Sequence, residues 1–80
     1  MLLISRKDRK MMEMYKKELG VEYENVKMMD LVEALKKNDV VLKDWQNEDY
    51  PEGWVVETVN GEVIAIYEDG EGYVEHICIE

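Results

Sequence analysis

Trp54-Val55-Val56-Glu57-Thr58-Val59-Asn60-Gly61-Glu62-Val63-Ile64-Ala65-Ile66-Tyr67 is the stretch that decides how this chain folds. Two runs rich in β-branched residues, 54–59 and 62–67, flank Asn60-Gly61, a dipeptide that accepts positive φ at both positions of a two-residue hairpin turn. Downstream, Glu68-Asp69-Gly70-Glu71-Gly72 predicts a longer turn into a third strand over 73–79. The C-terminal part therefore reads as a three-stranded antiparallel meander. A two-residue turn at Asn60-Gly61 sets Val59 opposite Glu62. One face would then carry Trp54, Val56, Thr58, Val63, Ala65, Tyr67, Tyr73, Glu75, Ile77 and Ile79. The other would carry Val55, Glu57, Val59, Glu62, Ile64, Ile66, Val74, His76 and Cys78. Both faces are substantially apolar in this register, whereas a sheet with one wet face should alternate. The second face is expected to be covered by the linker and N-terminal segment, by strong curvature or by another chain.

Upstream of the meander the periodicity changes to helical. Ser5 followed by Asp8 resembles a capping-box start. Met11, Tyr15 and Leu19 recur at a spacing of four with Met12 beside them, and Gly20 stands where a left-handed C-cap belongs. Val21, Tyr23 and Val26 suggest a short extended segment with Glu22 and Glu24 outside. Asp30 and Glu33 open a second helix with Leu31, Val32 and Leu35 on its apolar face, and Asn38-Asp39 ends it. Residues 40–42 read as a brief strand, and 44–53 as a polar connection carrying Trp45, Tyr50 and Pro51. Leu2-Leu3-Ile4 is either a short strand or the apolar lead into the first helix. The expected fold is α+β: two N-terminal helices packed on an antiparallel sheet with a C-terminal three-stranded meander, in a single small domain over 1–80.

Charge is divided along the same boundary. Residues 1–40 hold nine Lys/Arg against eight Asp/Glu, whereas residues 41–80 hold one Lys against eleven Asp/Glu. The net charge of −9 thus sits almost wholly in the β half. Ten uncompensated negatives add nothing to stability, because they repel one another, so the asymmetry speaks of solubility or of a basic partner. Cys78 is the only cysteine, which excludes an intramolecular disulfide and points to a reducing, cytoplasmic setting. No apolar run reaches the length of a membrane span, and no signal-peptide pattern opens the chain.

Chemistry-bearing constellations are thin. His76 and Cys78 share a strand face, yet a cysteine nucleophile also needs an orienting group and an oxyanion site that nothing here supplies. One His and one Cys are too few for a zinc cage. The acidic turn lacks the alternating ligands of a calcium loop, and no phosphate-cradling glycine motif is present. No enzyme, metal or cofactor is expected. The run Arg6, Lys7, Arg9, Lys10 with Lys16 and Lys17 offers a helix face to phosphates, but the whole-molecule field repels a polyanion, so direct nucleic-acid binding is not expected. The clustered methionines Met11, Met12, Met14, Met28 and Met29 read as flexible core filling.

The stretch Tyr15-Lys16-Lys17-Glu18-Leu19-Gly20-Val21-Glu22-Tyr23-Glu24-Asn25-Val26 is similar to the first helix and following strand of glutaredoxin-like proteins. That family's redox motif would fall near residues 5–10, where there is no cysteine, so the resemblance implies no activity here. In size and charge alone the chain resembles the small acidic anti-restriction and anti-CRISPR inhibitors of phages and mobile elements. The expected function is a small acidic protein-binding module that docks on a basic surface of a larger, nucleic-acid-processing protein and inhibits or modulates it, as a nucleic-acid mimic. The candidate contacts are Glu57, Glu62, Glu68, Asp69, Glu71 and Glu75, with Trp45, Tyr50 and Trp54 as aromatic anchors. The alternative is a homodimeric structural or regulatory module that covers its second sheet face with its own copy.

Overall fold

The computed structural model describes residues 2–80. A short strand β1 (Leu3–Ile4) leads into helix α1 (Arg6–Leu19), then helix α2 (Met28–Lys37) and four strands. These are β2 (Val41–Gln46), β3 (Gly53–Thr58), β4 (Val63–Glu68) and β5 (Val74–Ile79). The strands form one sheet in the order β1-β5-β4-β3-β2, antiparallel except where β1 runs parallel to β5. The α+β class and the meander β3-β4-β5 match the reading of the sequence, but the sheet has five strands and is mixed. Residues 44–46, expected in a polar connection, continue β2 and pair with 54–56 of β3. Leu3 and Ile4 pair with His76 and Ile77, so the apolar lead is a strand.

Local chemistry explains the helix ends. Ser5 has extended backbone, and its hydroxyl accepts from Asp8 N at 3.1 Å, which satisfies one of the unpaired amides of the first turn. Gly20 closes α1 at φ 69°, with its amide directed at the carbonyls of the last turn. Helix α2 begins at Met28, earlier than the Asp30 start expected, and Asp30 lies in its first turn beside the positive end of the helix dipole. Between the helices no strand forms. Val21 and Tyr23 are buried, Glu22 and Glu24 are exposed, and an isolated bridge joins Lys27 to Tyr73.

The register of the central hairpin differs from that expected. Val56 opposes Ile64, Trp54 opposes Ile66 and Glu57 opposes Val63, one residue away from the pairing of a two-residue turn. Thr58 N donates to Glu62 O at 2.8 Å and Gly61 N to Thr58 O at 3.0 Å, with Gly61 at φ 86°. The loop is therefore three residues long, Val59-Asn60-Gly61, with the glycine in a bulge position. A one-residue slip moves a strand's whole side-chain set to the other face. Here it gathers Trp54, Val56, Thr58, Ile64, Ile66, Ile77 and Ile79 on one face, where α1 and α2 cover them. The core joins Val56, Ile64, Ile66 and Ile77 to Met12, Tyr15, Leu31, Val32 and Leu35. The open face stays substantially apolar through Val55, Val63, Ala65 and Tyr67, but the isoleucines of β4 and β5 now share the helix face.

The opposite face, carrying Lys43, Trp45, Val55, Glu57, Val63, Ala65, Tyr67, His76 and Cys78, lies away from both helices. Val55 is buried there, whereas Leu3, Trp45, His76 and Cys78 are exposed. Two bulges shape this sheet. One falls between Val41 and Lys43 and leaves Leu42 outward; the other leaves Glu75 unpaired where Tyr67 opposes His76 and Glu68 opposes Val74. The second restores Val74 to the core side although it lies an odd number of residues from Ile77.

Candidate functional site on the open sheet face

The open face is built around Gly53 and Tyr67, which oppose each other across β3 and β4. A Cβ at position 53 would stand 2.9 Å from Tyr67 Cε1, so the missing side chain is what lets the phenol lie down across the backbone. Tyr50 stands edge-on to that ring, with centroids 5.9 Å apart and planes at 81°. On the other side the His76 ring lies 5.6 Å away, tilted by 35°. Burial pushes the Tyr67 phenol up from its ordinary range, and the neighbouring Cys78 and Tyr50 add to this; Asn47 Nδ2, 3.5 Å from the hydroxyl, acts in the opposite sense.

Tyr50 is held by the loop that the sequence left undefined. Asn47 Oδ1 accepts from Asp49 N at 2.9 Å and Tyr50 N at 3.1 Å, and Gly53 N donates back to Tyr50 O at 2.8 Å. Gln46 Nε2 donates to Pro51 O at 3.0 Å, and Glu68 N to Glu52 O at 2.9 Å, which fastens the loop to β4. Between this loop, β4, β5 and β1 lies a groove of about 490 Å³ lined by Leu3, Tyr50, Glu52, Tyr67, Glu68, Glu75, His76 and Cys78. The bulge in β5 brings both Glu75 and His76 to it.

Three carboxylates rim this groove, and none of them has a basic partner among the described residues. The ion pairs are Arg9 with Glu24, Lys16 with Glu22, Lys36 with Glu33 and Asp44, and Lys43 with Glu57. Lys43, the single cation of the β half, also lies over the Trp45 ring at 5.5 Å. The groove is thus apolar and aromatic at its floor and uncompensated at its rim. Among the described residues no group of three His, Cys, Asp or Glu side chains is placed to hold a metal ion, and no helix is long and apolar enough to cross a membrane.

The structure divides the nine contact residues expected from the sequence. Tyr50, Glu68 and Glu75 meet at the groove, and Glu57 and Trp45 lie on the same open face further toward β2. Asp69 is engaged in its own turn, where Oδ1 accepts from Glu71 N at 2.7 Å and Tyr73 N at 3.1 Å; Glu71 is exposed at the tip. Glu62 and Trp54 are on the helix side. Tyr15 OH donates to Glu62 Oε1 at 2.6 Å, which ties the hairpin tip to α1, and Trp54 Nε1 donates to Asp44 Oδ2 at 2.8 Å. Glu52, Tyr67, Leu3, His76 and Cys78 complete the groove, and of these Tyr67 and Leu3 were not anticipated. Their signal was the glycine opposite a tyrosine, readable only once the register is right. His76 and Cys78 share a face, as expected. Met12 and Met28 are core, while Met14 and Met29 are exposed. On α1, Arg6, Lys7 and Lys10 are exposed, but Arg9 and Lys16 are spent on ion pairs.

Compared with known proteins, the chain matches no protein-family model, no curated protein and no solved structure.

Proposed function

We propose that this protein is a small acidic binding module, without catalysis, that lays the open face of its sheet on a basic surface of a larger protein and so blocks or modulates it. Proteins that process nucleic acids carry such surfaces, and an acidic face of this kind competes there with the phosphate backbone. The observation that supports the reading is the set Glu52, Glu68 and Glu75, without a basic partner among the described residues, around an aromatic floor on the face that the helices leave uncovered. Long-range attraction steers the encounter, and desolvation of the apolar floor then adds affinity that charge alone does not give.

The test compares two triple variants of equal charge change on an immobilised polyarginine surface. Replacing Glu52, Glu68 and Glu75 by Gln should remove most of the binding, while replacing Glu18, Glu22 and Glu33 on the helix side should leave most of it. Equal losses would sink the reading, since net charge and not the open face would then be responsible.

A second reading is a homodimer that covers the open face with its own copy. Leu3 at 52% exposure and Leu42 at 65% favour it. Two acidic faces repel, so sedimentation at high salt gives this dimer its best chance, and a monomer there would end it.

A further inference from the structure

We propose that the groove beside Tyr67 is a receptor for an arginine side chain presented by the basic partner. The inference rests on the reading of the protein as an acidic binding module and adds what occupies the groove. Three features converge. Tyr67, held flat over Gly53, and Tyr50, edge-on to it at 5.9 Å, give aromatic walls on which a planar cation stacks. Glu52, Glu68 and Glu75 stand at the rim without basic partners among the described residues, ready to accept from a guanidinium that reaches past the rings. The groove, about 490 Å³, is within the usual range of small-molecule sites of about 300–1,000 Å³ and admits the aliphatic stem with the head group.

Arginine fits this chemistry better than lysine. Its five donors form a rigid fork matched to carboxylates, its plane stacks on phenol rings, and its weaker hydration lowers the cost of leaving water. An ammonium would satisfy the rim as a point charge and gain less from the floor. A second copy of the chain is a poorer occupant, because the open face of another subunit would bring more carboxylates to the rim. Its one β-half cation, Lys43, is already paired with Glu57.

Cys78 supplies the measurement, because it lines the groove, is exposed and is the only cysteine. Two probes are compared at about 20 mM salt, where screening is weak. They are the capped peptides Gly-Arg-Gly-Arg-Gly and Gly-Lys-Gly-Lys-Gly. The readouts are amide shifts in the labelled protein and the rate of Cys78 alkylation by N-ethylmaleimide. The arginine peptide should bind about fivefold tighter than the lysine peptide. It should slow alkylation and move the amides of Leu3, Tyr67, Glu68 and His76. Tyr50→Ala, at an exposed position, and Tyr67→Leu should each bring the two peptides to similar affinity. Equal affinities in the native protein, with Cys78 unprotected, would overturn the arginine groove and leave acidic docking standing. No shift with either peptide would overturn both.

Discussion

Gly53 and Tyr67 show how one absent side chain can shape an open groove. With a Cβ contact of 2.9 Å in prospect, Gly53→Ala must displace the phenol or the strand. The change should cost about 1–3 kcal/mol, the usual range for overpacking, read as a lowered urea midpoint at unchanged slope. Tyr23 makes a second case. Its ring is fully buried while its hydroxyl donates to Glu13; burial first, and then that carboxylate, push the phenol up to about 12. A phenol that holds its proton more tightly when folded stabilises the protein fully below about pH 10, its unfolded value. That contribution is lost as pH rises from there through about 12. Tyr15 and Tyr67 are shifted in the same sense. Phenolate absorbance should therefore rise together with loss of circular dichroism above pH 10, and Tyr23→Phe should move that transition.

Among the elements, the β3-β4 hairpin carries the most information. Its loop needs a positive φ at Gly61, 86° here, so Gly61→Ala should cost about 1 kcal/mol in thermal unfolding without altering the strand pairing. The existence of both helices and of the meander was legible in the sequence because periodicity, caps and turn residues agreed at those places. Loop length was not legible: Asn60-Gly61 suits a two-residue turn and equally the end of a three-residue one. That ambiguity reversed the relative facing of β3 and β4, and with it which apolar residues lie beneath the helices. Strand β2 was obscured by the polar Lys43, Asp44 and Gln46 of an edge strand. At the site, Tyr50, Glu68 and Glu75 were identifiable from composition, but Tyr67 enters the groove through a cross-strand contact with Gly53 that no local pattern encodes.

At the scale of the whole molecule, the division of charge along the chain becomes a division in space, because both helices pack on the same face of the sheet. The β layer holds one Lys against eleven Asp/Glu with little internal compensation. Raising ionic strength from about 10 mM to about 150 mM shortens the screening length from about 30 Å to about 8 Å and should raise the melting temperature. The Glu52, Glu68, Glu75 to Gln variant should be more stable than the native chain in low salt and should gain less from added salt. Greater stability with weaker docking is the signature of carboxylates retained for binding.

The unpaired Glu75 has a consequence for how this sheet can change over time. Because the extra residue interrupts alternation within β5, the side chains that hold the helices and those that line the open groove are uncoupled around it. Removing it would draw Val74 and His76 into plain succession opposite Glu68 and Tyr67, and Ile77 would keep its place opposite Ile66. The core would be spared while the rim lost a carboxylate and the strand straightened. A single-codon deletion at this position would thus change the groove rim without rebuilding the interior.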